Sequence, residues 1–315
     1  MIIILSTSDN FHANLVQGKL ESHGLDFLRV NSDQIPIDKC FFSNEGFGSL
    51  DIYGRNINLS DISGVFVHHP RIIVSNAIGT DSLDRALFRS SWVNFLNWIE
   101  CFIPCIKWVN SLSKIRLSSS VFNQLDLAKR VGFEVPRTCF SNDLLKIKTF
   151  FGNNIDVILK TGPLQGLFMP GKRILANIVS LKNIDEDIIS KSPCLFQEYI
   201  DKSFELRVHL VDDKIFSCKI DSQFSENKKT RVDWRNYSIS DTPHTPFELD
   251  DISSGRIKDI AKALGLRLGI FDFIVTKNQK LIFLECNSQG YWSWIEDLTG
   301  LKITDAVVDS LVKVC

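Results

Sequence analysis

Two apolar runs near the end of the chain, residues 269–276 and 281–287, carry oxygen-bearing side chains among hydrophobic neighbours. Asp272 sits in the first run, Glu285 and Asn287 in the second. A carboxylate in such a run is costly unless it is paired or bound to a cation. Residues 277–280 (Lys-Asn-Gln-Lys) read as a turn, so the two runs are predicted to form a hairpin. Strand alternation sends Glu285 and Asn287 to one face, and antiparallel pairing can set Asp272 across from them. Oxygen ligands without His or Cys suit magnesium, which takes its remaining ligands from water and substrate phosphates. The pattern points to a nucleotide–metal site. On these residues alone, a half-buried hairpin whose carboxylates face water is the alternative.

Two upstream segments carry chemistry of the same kind. Lys160 ends an apolar run and leads into a loop containing Gly162, Gly166, Gly171 and Lys172. Glycines let backbone N–H groups approach a phosphate, and the lysine adds a point charge. The order of a Walker A loop is absent. Further on, Gln197, Glu198, Tyr199, Ile200 and Asp201 precede Glu205 by a few residues. A hinge backbone there can read adenine edges, and a following carboxylate can accept ribose hydroxyls. A charged hairpin fits the same residues.

The elements that must position these groups fall into three stretches. Residues 2–5, 27–30 and 65–68 read as strands alternating with helices over 11–23 and 82–102, a small open α/β unit. The next stretch is predicted to hold a helix over 119–131, a strand over 137–141, a short helix over 142–151 and a strand over 156–160. Strands at 194–199, 206–211 and 214–220 then open a largely antiparallel unit that ends in helices over 250–264 and 304–314. With 315 residues, two or three cores are expected.

Composition narrows the classes. The chain is 44% hydrophobic and 23% charged with a net charge of −1, which gives no basis for broad nucleic-acid or membrane-surface binding. No apolar stretch reaches the length of a membrane span, and the opening run is too short for a signal peptide. The eight cysteines are scattered, and Cys101 and Cys105 find no second Cys/His pair to complete a zinc site. Free thiols in a reducing cytoplasm are expected. His68 and His69 are adjacent, and alternate strand positions would point their rings apart.

Taken together, the strand-end lysine, the Gln197-Glu-Tyr-Ile hinge with Glu205, and Asp272 followed by Glu285-x-Asn resemble the ATP-grasp superfamily. Further features resemble its peptide-macrocyclising branch, the microviridin or graspetide type. These are Asn110, Gln124-Leu-x-x-Ala, Gly132-x-x-x-Pro-Arg-Thr, Glu205-Leu-Arg-Val, Arg231-Val-Asp-Trp-Arg, Phe283-Leu-Glu-x-Asn and Trp292-x-Trp-Ile-Glu-x-x-x-Gly. The resemblance implies an α/β (α+β) three-domain ATP-grasp fold: a pre-ATP-grasp α/β domain over 1–112, a central subdomain with the phosphate loop over 113–192, and a C-terminal subdomain with the metal site over 193–315.

It also implies ATP and Mg2+ as cofactors, a precursor peptide with leader and core as partner, no nucleic acid or membrane, and a cytoplasmic homodimer. Lys160 is assigned to the phosphates, Gln197, Glu198, Tyr199, Ile200 and Asp201 to adenine, and Glu205 to the ribose. Asp272, Glu285 and Asn287 are assigned to the metal. Arg207 and Arg235 would steady the transferred phosphoryl group or the acceptor carboxylate, with Asp233 orienting Arg235 or taking a proton. Trp234, Trp292 and Trp294 would pack the site wall.

Three positions depart from the branch. Its first phosphate lysine falls at Val121, with Lys114 or Arg116 as candidate substitutes. Its Asn-Pro-x-Gly-Gln-Trp run reads Asn287-Ser-Gln-Gly-Tyr-Trp, and its paired arginines read His68-His69 followed by Arg71. The implied reaction activates Asp or Glu side chains of the peptide as acyl-phosphates and closes ester or amide cross-links. A ligase acting on a small molecule or protein tail is the second reading, and a binding protein without turnover the third.

Overall fold

The opening strand Ile2–Ser6 is buried at every position because it runs between two parallel neighbours, Phe27–Asn31 and Gly64–His68. Trp108–Val109 completes this four-stranded parallel sheet. The computed structural model describes residues 1–34, 37–71, 82–153, 155–160, 177–232 and 242–313. Helix Phe11–Ser22 begins where the Asn10 side chain accepts the Ala13 N–H.

An antiparallel meander, Ile37–Phe42, Gly48–Ile52 and Arg55–Asn58, adds three strands in a stretch for which no element was predicted. Its inward residues are few (Leu50, Ile52 and Ile57), so the period-2 signal is weak. The expected helix over 82–102 is α-helical only through Trp98 and then tightens into a 3-10 turn, Ile99–Cys101. The helix expected over 119–131 is Val121–Arg130, begun where the Ser120 side chain accepts the Asn123 N–H, and a helix with no prediction, Leu112–Ser118, precedes it.

The middle sheet is antiparallel, in the order Asn177–Ser180, Asp156–Lys160, Cys194–Glu198, Thr138–Ser141. Cys194–Glu198, expected to open the third unit, pairs here instead. The third sheet has the order His244–Pro246, Lys214–Ile220, Phe204–Val211, Leu268–Val275, Leu281–Asn287. One of its faces is covered by Val121–Arg130 and Asp251–Leu264. Part of its other face joins the N-terminal sheet in one core, where Ile4 and Phe66 meet Ile270 and the C-terminal helices Ser293–Thr299 and Ile303–Val312. No helix is long and apolar enough to cross a membrane among the described residues.

Candidate active site

The central strand Phe204–Val211 decides which side chains reach the cleft between the middle and C-terminal sheets. Phe204, Leu206, Val208 and Leu210 enter the core beneath the helices, so alternation turns Glu205 and Arg207 to the opposite face. Asp272 stands across from Arg207, and Glu285 across from Asp272. Between Asp272 and Phe273 the register shifts, because Phe273 pairs with Phe283 while Asp272 pairs with Glu285. The bulge inserts Leu284. Leu284 and Glu285 then both line the cleft, while Phe283 and Cys286 enter the core.

These groups are tightly tied. Arg207 Nη1 donates to both carboxylate oxygens of Asp272, at 2.7 and 2.9 Å. Its Nη2 donates to the Tyr291 carbonyl at 3.3 Å. Lys160 Nζ lies 3.4 Å from Glu285 Oε2. Asn287 is exposed, opposite Ile270, and its Oδ1 accepts the Gln289 N–H at 2.9 Å. Two carboxylates facing each other on neighbouring strands, with an amide oxygen on the same strand as one of them, make a hard donor set that fits Mg2+ completed by phosphate oxygens. Among the described residues no group of three or more His, Cys, Asp or Glu is arranged to hold a metal ion, so no all-protein metal cage competes with this set.

The cleft is lined by Lys160, by Gln197 to Ile200, by Lys202, Glu205 and Arg207, and by Asp272 and Glu285. Its hinge is anchored to the neighbouring strand: Glu198 accepts the Arg137 N–H at 3.1 Å, and Gln197 Nε2 donates to Thr138 Oγ1 at 3.2 Å. Burial raises the Tyr199 phenol above its ordinary range, helped by Asp201 and Glu205. Asp201 itself is exposed and not part of the lining. Glu205 is buried, accepting bonds from Lys202 Nζ and from the Ser222 hydroxyl, and Lys202 Nζ also donates to the Val232 carbonyl at 2.9 Å. Asp233, Trp234, Arg235 and the glycine-bearing loop 161–176 lie outside the described residues.

Several sequence expectations need correction. The rings of His68 and His69 do not point apart; their centroids are 4.6 Å apart, because the strand ends at His68 and His69 turns to φ 47°. Trp292 is fully buried in the shared core, donating to Thr304 Oγ1, and Trp294 packs on His244; neither is among the described residues that line the cleft. Neither Lys114 nor Arg116 lines the cleft. The Lys114 side chain lies against Gly265, and Arg116 donates to Asn97.

Lys202 was missed. Its signal was a lysine three residues before Glu205 at the start of a fully buried strand. The roles of Asn110 and Gln124 were missed as well. Asn110 bonds the Arg267 and Leu268 amides and the Leu268 and Ser288 carbonyls. Gln124 accepts the Cys286 N–H at 2.9 Å and donates to the Cys286 carbonyl at 2.8 Å, acting as a one-residue strand on the edge that carries Glu285.

No family model and no curated protein matches the chain. Solved structures do. A Chryseobacterium gregarium RiPP-associated ATP-grasp ligase in complex with ADP and a leader and core peptide superposes with TM-score 0.85 at 24% identity, covering 100% of this chain and 96% of that one. The chain has the ATP-grasp ligase fold. Macrocyclase MdnC bound with precursor peptide MdnA, from Microcystis aeruginosa MRC, superposes at TM-score 0.81 and 24% identity, over 99% of this chain and 98% of that one. ATP-grasp ligase PsnB, complexed with a phosphomimetic variant of a minimal precursor, Mg and ADP, does so at 0.75 and 21%, over 99% and 98%. Within this ATP-grasp fold, the cleft between the two antiparallel sheets is the feature that gathers the charged residues.

Proposed function

We propose that the chain is an ATP- and Mg2+-dependent ligase that cross-links a ribosomally made precursor peptide. The observation that carries this reading is the convergence of Lys160, Arg207, Asp272 and Glu285 on one cleft. Structural neighbours that hold ADP, Mg and precursor peptides support it. The division into domains at 1–112, 113–192 and 193–315, the cytoplasmic location and the homodimer belong to the same reading.

In this account Gln197, Glu198, Tyr199, Ile200 and Asp201 provide the adenine hinge and Glu205 receives the ribose hydroxyls. Lys160 meets the phosphates. Asp272, Glu285 and Asn287 would hold Mg2+, which neutralises charge on the transferring phosphoryl group. The peptide's Asp or Glu carboxylate attacks the γ-phosphorus of ATP, giving an acyl-phosphate and ADP. A Ser/Thr hydroxyl or Lys amine of the same peptide then attacks the acyl carbon. Phosphate leaves, and the nucleophile's proton passes to it, to water or to Asp233. Arg207 steadies the negative oxygens of the acyl-phosphate, and Arg235 is assigned to the same task. The chain's contribution is mainly positioning and charge compensation.

The test is to seek a short reading frame rich in Thr/Ser and Asp/Glu beside this chain's gene and to measure ADP release with the peptide it encodes. Release that requires both that peptide and Mg2+ is expected. Release driven equally by free amino acids would overturn the peptide reading.

A further inference from the structure

The loop that follows the Glu285 strand, residues 288–293, is held by histidines that all come from the N-terminal sheet and its first helix. His69 Nε2 lies 2.6 Å from the Gln289 carbonyl, so that nitrogen carries the proton and donates. The Tyr291 ring stacks on the His69 ring, with centroids 5.3 Å apart and planes 19° apart. His12 Nε2 accepts two amides, from Trp292 at 2.9 Å and Ser293 at 3.0 Å. His68 packs between His12 and His69 and bonds Asn10 Oδ1 through Nδ1 at 3.1 Å. Burial pushes His12 down to about 4 and lowers His68 and His69 as well, which keeps the His12 lone pair available.

The same loop touches the reacting end of the cleft. Tyr291 offers its carbonyl to Arg207 Nη2, the guanidinium whose other nitrogen grips Asp272. Gly290 passes so close that an added Cβ would lie 2.6 Å from Ile270 Cδ1 and 3.2 Å from Arg207 Nη2. A shift of this backbone therefore moves Arg207.

We infer that His69 is a positioning residue for the reaction: through the Gln289–Tyr291 backbone, the N-terminal histidines fix the guanidinium of Arg207 against Asp272. The catalytic consequence rests on the ligase reading above, whereas the brace itself does not. A one-ångström displacement of a group that acts on the reacting atoms is enough to slow a reaction by orders of magnitude.

Two variants separate this role from a packing one. His69→Phe keeps a ring for Tyr291 but removes the donor, and His69→Gln retains an N–H at the Nε2 reach. In His69→Phe, amide exchange across residues 289–293 is expected to quicken about tenfold, the scale of one lost hydrogen bond. Exchange in Phe204–Val211 should stay as in the wild type. With peptide, ATP and Mg2+, kcat is expected to fall about tenfold while KM for ATP changes less than about twofold. His69→Gln should recover most of both. Wild-type exchange in His69→Phe, or a Gln variant no better than Phe, would overturn the inference. If the wild-type protein releases no ADP with the peptide, the ligase reading and the catalytic consequence fall together, and the exchange arm alone decides whether the brace exists.

Discussion

Arg207 and Asp272 stand directly opposite each other on adjacent central strands, and a single guanidinium nitrogen spans both carboxylate oxygens. Their side chains are only 8% and 16% exposed, so the pair is largely desolvated. Removing one partner of such a pair leaves a buried charge, whereas removing both is much less damaging. Arg207→Met is therefore expected to cost about 3 kcal/mol of stability. The double variant Arg207→Met, Asp272→Leu should regain most of it without regaining turnover. Urea unfolding of the three proteins, read together with ADP release, checks this.

The two carboxylates that face each other across the hairpin should matter for the metal, and Asp272 for the fold as well, because its charge lies against Arg207. Asp272→Asn and Glu285→Gln each keep the size and hydrogen-bonding capacity of the side chain. Each is expected to slow turnover by about two orders of magnitude, equivalent to about 3 kcal/mol of transition-state stabilisation. The rate should recover in part as Mg2+ is raised. A full wild-type rate in either variant at ordinary Mg2+ would remove that residue from the metal site.

Lys202 and Glu205 form the most deeply buried ion pair of the cleft, at 5% and 6% side-chain exposure. Lys202→Met removes the cation that pairs with Glu205. A loss of about 3–5 kcal/mol is expected, together with weaker ADP binding, since Glu205 is the proposed ribose acceptor. Calorimetric ADP titration of the folded variant reads the second effect. Unchanged affinity would detach Glu205 from the nucleotide.

How much of this was legible in the residues depends on what each feature requires. Asp272, Glu285 and Asn287 stood out because carboxylates are rare in apolar runs, and the hairpin brings Asp272 opposite Glu285, as antiparallel pairing allows, through a register shift. The bulge at Leu284 left no such mark, because a run of Leu, Ile, Phe and Leu hides which residue is extra. Lys160 and the hinge were recognisable from their place at strand ends. The meander over 37–58 was not, since its first strand buries no residue and its last only Ile57. His68 and His69 misled for a local reason: alternation holds only while the strand continues, and it stops between them. Asn110 and Gln124 were recognised as motif residues, yet their work, bonding to backbone of distant strands, depends on tertiary contacts that spacing does not encode.

Acid should weaken the join between the N-terminal and C-terminal units. Burial holds His12 at about 4 against its ordinary 6.5. Because the folded value lies below the unfolded one, the unfolded chain binds more protons between these limits. This contribution to stability is complete above about pH 6.5 and declines as pH falls towards about 4, a loss of about 3 kcal/mol. Buried His68 acts in the same direction. Urea midpoints at pH 7.5 and pH 5 should differ more in the wild type than in His12→Gln, whose amide oxygen can still accept the Trp292 and Ser293 amides. Equal slopes would mean that His12 titrates normally.

The central claim is condensation within a peptide, and intact-mass spectrometry of that peptide tests it most directly. After incubation with this protein, ATP and Mg2+, a Thr/Ser- and Asp/Glu-rich peptide encoded beside its gene should lose one water for each bond formed, and lose none without ATP. An unchanged mass accompanied by wild-type ADP release would contradict the account, because the acyl-phosphate would then be spent on another acceptor.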